Sequence, residues 1–304
     1  MKSLSEEITE SKKDQSSNKE IRLFLTLLIT FTILLVELLG GLLSNSLALL
    51  ADVGHMAQDV FSLLLSIFAL KLSHKKRDLN YSFGYKRAEV LAALMNGLFL
   101  IIISIYLLIE SFNRFGKPEV INTSIMFIVS FIGIIANVLM FILLYNGSHE
   151  DLNIKGALLH VASDTLGSIG ALVASVLIIL TGIVVFDILI TLLITLLIII
   201  SAINLLKQSI HILMEGIPEN VDINLMNRDL MDIKGVKNIH DIHIWSTSSS
   251  DKFFSGHFVI EKELESAKLI SKINKCLNTN YKISHATIQI EHESHVNNCV
   301  SCDS

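Results

Sequence analysis

The chain has 304 residues, of which 51% are hydrophobic and only 17% charged, against roughly 25% charged in an ordinary soluble domain. That balance excludes a typical water-soluble enzyme. The net charge of −5 leaves no electrostatic case for a nucleic-acid partner.

Residues 1–21 are polar and read as an N-terminal tail. Six segments then reach the length of about 20 apolar residues that crosses a bilayer as a helix, roughly 22–43, 47–71, 88–112, 120–145, 153–181 and 184–207. The first is longer than the core of a signal peptide and no clear cleavage site follows it, so it reads as a retained span. Lys and Arg orient the bundle, because positively charged short loops stay cytoplasmic. The tail carries Lys2, Lys12, Lys13, Lys19 and Arg22, and the loop after the second span carries Lys71, Lys75, Lys76, Arg77, Lys86 and Arg87. The loops after the first and fifth spans carry none. Both termini are therefore expected in the cytoplasm.

From about residue 209 the texture turns charged, with alternating strands. Helices are predicted near 222–233 and 263–278, and strands near 236–246, 252–261 and 283–292, an α-β-β-α-β order that points to a small open-sheet α+β domain. The break falls near Gly216-Ile217-Pro218, where proline limits helix continuation. The expected organisation is a tail at 1–21, a six-helix membrane domain at 22–208 and a cytoplasmic domain at 209–304. All three cysteines, Cys276, Cys299 and Cys302, lie in that last part, and their odd count argues against a secreted disulfide framework.

The second span places His55 and Asp59 four residues apart, on one helical face, and the fifth repeats the spacing with His160 and Asp164. A lone intramembrane His or Asp can simply hydrogen-bond a neighbouring helix. Two identical pairs are harder to explain that way, since a charged side chain at mid-membrane costs about 2.5–3.5 kcal/mol on insertion scales. A shared ligand removes that cost. Two imidazoles and two carboxylates suit tetrahedral zinc, whereas magnesium and calcium prefer oxygen-only shells of six or more ligands.

These segments resemble the cation diffusion facilitators, in particular the zinc-transporting branch that includes bacterial zinc, cobalt and cadmium exporters. The resemblance rests on Ser46-Leu47-Ala48-Leu49-Leu50-Ala51-Asp52-Val53-Gly54-His55-Met56, on Ser82 through Ala93, on Leu159-His160 through Gly167-Ser168, on Glu215-Gly216-Ile217-Pro218 and on His240-Asp241-Ile242-His243-Ile244-Trp245. It implies a homodimeric exporter in a bacterial plasma membrane, with a ferredoxin-like cytoplasmic domain, exchanging Zn²⁺ for protons at His55, Asp59, His160 and Asp164. Two departures stand out. Asp187 is followed by Ile188 where relatives often have proline, and the loop 146–155 holds a single histidine, His149, where many eukaryotic relatives carry a histidine-rich run.

Regular strand alternation puts His240 on one face with Ile242 and Ile244, with His257 on the next strand and Glu291 on the last. In relatives the corresponding positions bind zinc, and a C-terminal Cys-x-x-Cys, here Cys299 and Cys302, joins them in some. The bland alternative is ordinary sheet histidines and thiols in a tail. His285 is a candidate metal ligand at the domain interface, and the resemblance pairs Arg87 with Glu215. Glu37, Asn45, Asp52, Asn96 and Asn137 read as polar residues bonded between spans or lining a water path. His74 reads as a solvated loop residue and Cys276 as a small hydrophobe. A membrane metalloenzyme is disfavoured, since no His-Glu-x-x-His stands in any span. A metal sensor anchored in the membrane would leave the four intramembrane ligands without a role.

Overall fold

The structure is a computed structural model that describes residues 28–73, 75, 77–117, 119–145, 152–248, 251–260 and 266–292, apart from the side chains of 143–145, 152–157, 159 and 160. It divides into two compact units, one of Met1–Leu63 with Leu98–Ile203, the other of Leu64–Gly97 with Asn204–Ser304. The helices in chain order are α1 (Leu28–Ser44), α2 (Leu47–Ser73), α3 (Ala88–Gly116), α4 (Thr123–Tyr145), α5 (Leu152–Thr181) and α6 (Val185–Leu213). Five of them, α2 to α6, are long and apolar enough to cross a membrane, and the described part of α1 is a shorter apolar helix.

The first unit is inverted relative to a soluble protein. Ile102, Leu166 and Leu180 lie on its surface, while Glu37, Asp52, Asp164, Asp187 and Asn137 are buried. In water this arrangement would be costly; in lipid it is the stable one, because the apolar solvent is outside. Small side chains allow the helices to approach closely. Ala48, Ala171 and Ala174 pack with Leu49, Met126 and Ile178, and a Cβ on Gly170 would meet Ile190 at 3.1 Å. Between α1 and α2 the chain turns through Asn45, whose φ of 58° is one that asparagine tolerates better than most residues. Arg114 of α3 holds this turn, donating to the Asn45 carbonyl at 2.6 Å and to its Oδ1 at 2.9 Å.

The second unit contains α7 (Ile223–Met231), β1 (Val236–Ser246), β2 (Lys252–Ile260), α8 (Ser266–Tyr281) and β3 (His285–His292). β1 pairs antiparallel with β2, and β2 pairs parallel with β3, so α8 serves as the crossover a parallel connection requires. Asp222 caps α7, accepting from the Asn224 and Leu225 amides at 2.9 and 3.1 Å. Leu269, Ile273, Leu277 and Tyr281 recur every four residues along α8 and pack on Phe254, Phe258 and Ile260 of β2. The Tyr281 hydroxyl donates to Asp229 of α7 at 2.7 Å. Burial, reinforced by that carboxylate, holds the phenol above its ordinary pKa.

β1 departs from regular alternation. The register slips between His240, opposite His257, and His243, opposite Ser255, and Asp241 within the bulge has a φ of 51°. As a result Ile239 and Ile244 both enter the core. The expectation that His240 shares a face with Ile242 and Ile244 is corrected accordingly, since Ile242 also packs against that core. The extra residue flips the pleat, and His240 lies on the side of the sheet away from that core.

Candidate metal centres

The helical site begins with the start of α2. Ser46 accepts from the Leu49 amide at 3.2 Å as an N-cap, and Asp187 at the start of α6 accepts from Ser46 Oγ at 2.6 Å and from the Leu47 and Ala48 amides at 2.8 and 3.2 Å. A carboxylate there satisfies otherwise unpaired amides and matches the positive end of the helix dipole. This buried anchor sets α2 in place two turns ahead of His55.

His55 Nε2 then lies 4.0 Å from Asp59 Oδ2 on its own helix and 4.0 Å from Asp164 Oδ1 on α5. Ligand atoms of the three residues all fall within 4.8 Å of one another. A separation of 4.0 Å is too long for a hydrogen bond. Zinc bonds of about 2.0–2.2 Å in a tetrahedron place neighbouring ligand atoms about 3.4 Å apart, so each of the two 4.0 Å pairs would have to contract by roughly half an ångström to hold such an ion. His160 is on α5 one turn before Asp164; its side chain is outside the described residues.

The second cluster is on the face of the sheet opposite the core that α7 and α8 cover. His240 Nε2 and Glu291 Oε2 are 3.0 Å apart, His257 Nδ1 and Glu291 Oε1 are 2.9 Å apart, and the two imidazoles meet edge to face at 5.2 Å. Gln289 donates to Glu291 Oε1 at 2.8 Å. Two residues that sequence reasoning left out extend this group. Asp241 Oδ2 lies 3.4 Å from His257 Nε2, and its Oδ1 lies 2.9 Å from His243 Nε2. Their place in His240-Asp241-Ile242-His243 was a signal, but only the bulge turns Asp241 towards the histidines. Cys299 and Cys302 lie outside the described residues, as do the tail 1–21, His74 and His149.

Other expected residues fall elsewhere. His285 stands edge to face against Phe253 at 5.3 Å and belongs to neither cluster. Cys276 is half-buried against the core, its thiol pushed up by burial and by Asp229. Arg87 Nη2 donates to Glu215 Oε1 at 2.6 Å, and Lys86 pairs with Asp251 at 2.9 Å.

Residues 23–214 match the cation efflux transmembrane domain, and residues 218–293 match the cytoplasmic domain of cation efflux proteins. The chain belongs to the cation efflux family. It is thus a membrane transporter and not an enzyme. Relatives of this cation efflux chain include a cadmium, cobalt and zinc/H(+)-K(+) antiporter of Bacillus subtilis, 42% identical over 93% of the chain and 92% of the relative. The zinc transporter ZitB of Escherichia coli is 37% identical over 91% of the chain and 88% of the relative. The metal cation efflux system protein CzcD of Cupriavidus metallidurans is 35% identical over the same shares. Among solved structures, the metal-bound C-terminal domain of the CzcD transporter from C. metallidurans aligns at 28% identity with 23% of this chain and 99% of its own, with a TM-score of 0.23 that does not establish a shared fold. In this cation efflux chain Asp187 is the buried acid whose role sequence reasoning underrated; its position opening a span was visible, its three bonds to the start of α2 were not.

Proposed function

We propose that the chain exports Zn²⁺ from the cytoplasm in exchange for protons, using His55, Asp59, His160 and Asp164 as the transport site. The observation that carries this reading is the convergence of part-exposed His55 and Asp59 with buried Asp164 from another helix, all three within apolar segments. The names of the relatives as zinc, cobalt and cadmium transporters support the choice of a divalent metal. Histidine and carboxylate bind a metal only when deprotonated, so protons entering from outside compete the ion off and the two flows are coupled. Six spans, with α1 the first, put both termini on one side, and the Lys and Arg of the tail and of the loop 71–87 make that side the cytoplasm of a bacterial plasma membrane. The domains are then the tail 1–21, the transport domain 22–208 and a ferredoxin-like cytoplasmic domain 209–304 that supports a homodimer.

His240, His257 and Glu291, joined by Cys299 and Cys302, hold a resident zinc in that cytoplasmic domain. Glu291 already spans both imidazoles, and ligand atoms of the three residues lie within 4.8 Å of one another. The test is ion flux in reconstituted vesicles with an imposed pH gradient, run with zinc, cobalt, cadmium, nickel and iron. Asp164→Ala is expected to abolish zinc-dependent proton flux while the protein still inserts; retained flux overturns the assignment. A membrane-anchored sensor would show no uptake in the intact chain.

A further inference from the structure

The buried acids of the helical unit do not all belong to the cluster around His55. Glu37 of α1 and Asp52 of α2 are enclosed, and both reach Ser168 of α5, whose Oγ lies 3.3 Å from Glu37 Oε1 and 3.2 Å from Asp52 Oδ2. Two glycines leave room for them. A Cβ on Gly133 would run into Glu37 Oε1, and one on Gly167 would run into Asp52 Oδ1.

This cluster is incomplete as it stands. Glu37 is 0% exposed and its Oε2 has no partner. Asn137 Oδ1 is also buried and unpartnered, one turn from Gly133 on the same face of α4. Ser168 carries a single proton and cannot donate to both carboxylates. Ser168 is one turn beyond Asp164, and Asp52 is one turn before His55, so the second cluster sits about 5.4 Å from the first, towards the ends where α2 begins and α5 finishes. A cavity of about 350 Å³ is lined by Asp52 of this cluster and by His55 of the other.

The donors here are all oxygen, and two carboxylates buried together carry, once both are ionised, a charge that one divalent cation neutralises and a monovalent one does not. We propose that Glu37, Asp52 and Ser168 form a second stopping place for the divalent cation, occupied after the His55 site and before release. Lacking imidazole, this site holds a zinc-like ion less tightly than the first, which suits an exit station. The proposal rests on the reading of the His55 cluster as the transport site.

The test uses the full-length chain in vesicles, with Zn²⁺ and Co²⁺ as probes. Glu37→Gln with Asp52→Asn is expected to lower maximal flux by at least about tenfold, to leave the KM for entry within about threefold, and to remove one bound Zn²⁺ per protomer at saturation. Gly133→Ala, which keeps every charge but displaces the Glu37 carboxyl, is expected to reduce flux in the same direction and stands in if the double variant fails to fold. Unchanged maximal flux, or an unchanged number of bound ions, overturns the second site. Failure of the underlying reading looks different: Asp164→Asn would then keep its flux, whatever the double variant does.

Discussion

In the helical unit His55 faces Asp59 and Asp164 across gaps of 4.0 Å, whereas on the sheet Glu291 touches His240 and His257 at 3.0 and 2.9 Å. The donor types are the same, but the first set is held apart and the second is held together. Gaps of 4.0 Å between His55 and its two carboxylates leave room for an ion to enter without first breaking a close imidazole–carboxylate contact. The closed cluster satisfies much of its own hydrogen bonding, and a metal entering it must replace bonds already made. The first arrangement suits a passing ion and the second a resident one.

The largest effect is expected from Asp59→Ala. Loss of a direct ligand should cut zinc flux by more than the 10–100-fold typical of outer-shell partners, measured in vesicles, and a milder loss would break the contrast. Next is Asp187→Asn, which replaces a carboxylate accepting from Ser46, Leu47 and Ala48 by a group that offers hydrogens to the same donors. An unsatisfied buried group costs about 1–3 kcal/mol, so both the melting temperature in detergent and the flux should fall, the latter by about tenfold for about 1.4 kcal/mol of that range expressed in transport. Glu291→Gln sharpens the comparison from the other side. Zinc titration of the full chain should show affinity at the sheet falling by about 10–100-fold, while flux at saturating zinc stays close to that of the unaltered chain. The smallest effect belongs to Arg87 and Glu215. Both side chains are substantially exposed, and exposed pairs are worth about 0–1 kcal/mol, so Arg87→Glu or Glu215→Arg alone should shift the melting temperature by a few degrees at most. The double reversal should restore it.

Periodic features were legible because they depend on neighbours in the chain. His55 and Asp59 four residues apart share a helical face wherever the helix goes, and Leu269, Ile273, Leu277 and Tyr281 announce the packing side of α8 in the same way. Strand reading failed where one residue was inserted: nothing in His240-Asp241-Ile242-His243 says which side the extra residue will take, and the bulge opposite Gly256 moved Ile244 into the core. His285 looked like a ligand by residue type, yet its register partner is Phe253, an aromatic ring. Residue type alone does not say what stands across a ladder.

Apolar length pointed from the chain alone to a membrane protein, and the two His-x-x-x-Asp spacings singled out the residues for which a metal site is proposed. Those properties are local, set by the hydrophobic effect and by a helical repeat of about 3.6 residues. Which acids meet was decided only in three dimensions. Glu37 and Asp52 reach Ser168 because Gly133 and Gly167 leave space for them, and Asp187 fixes α2 from 139 to 141 residues away. Such contacts depend on how close two helix backbones pack and on which oxygen is left to satisfy which donor, and neither is written in any one segment.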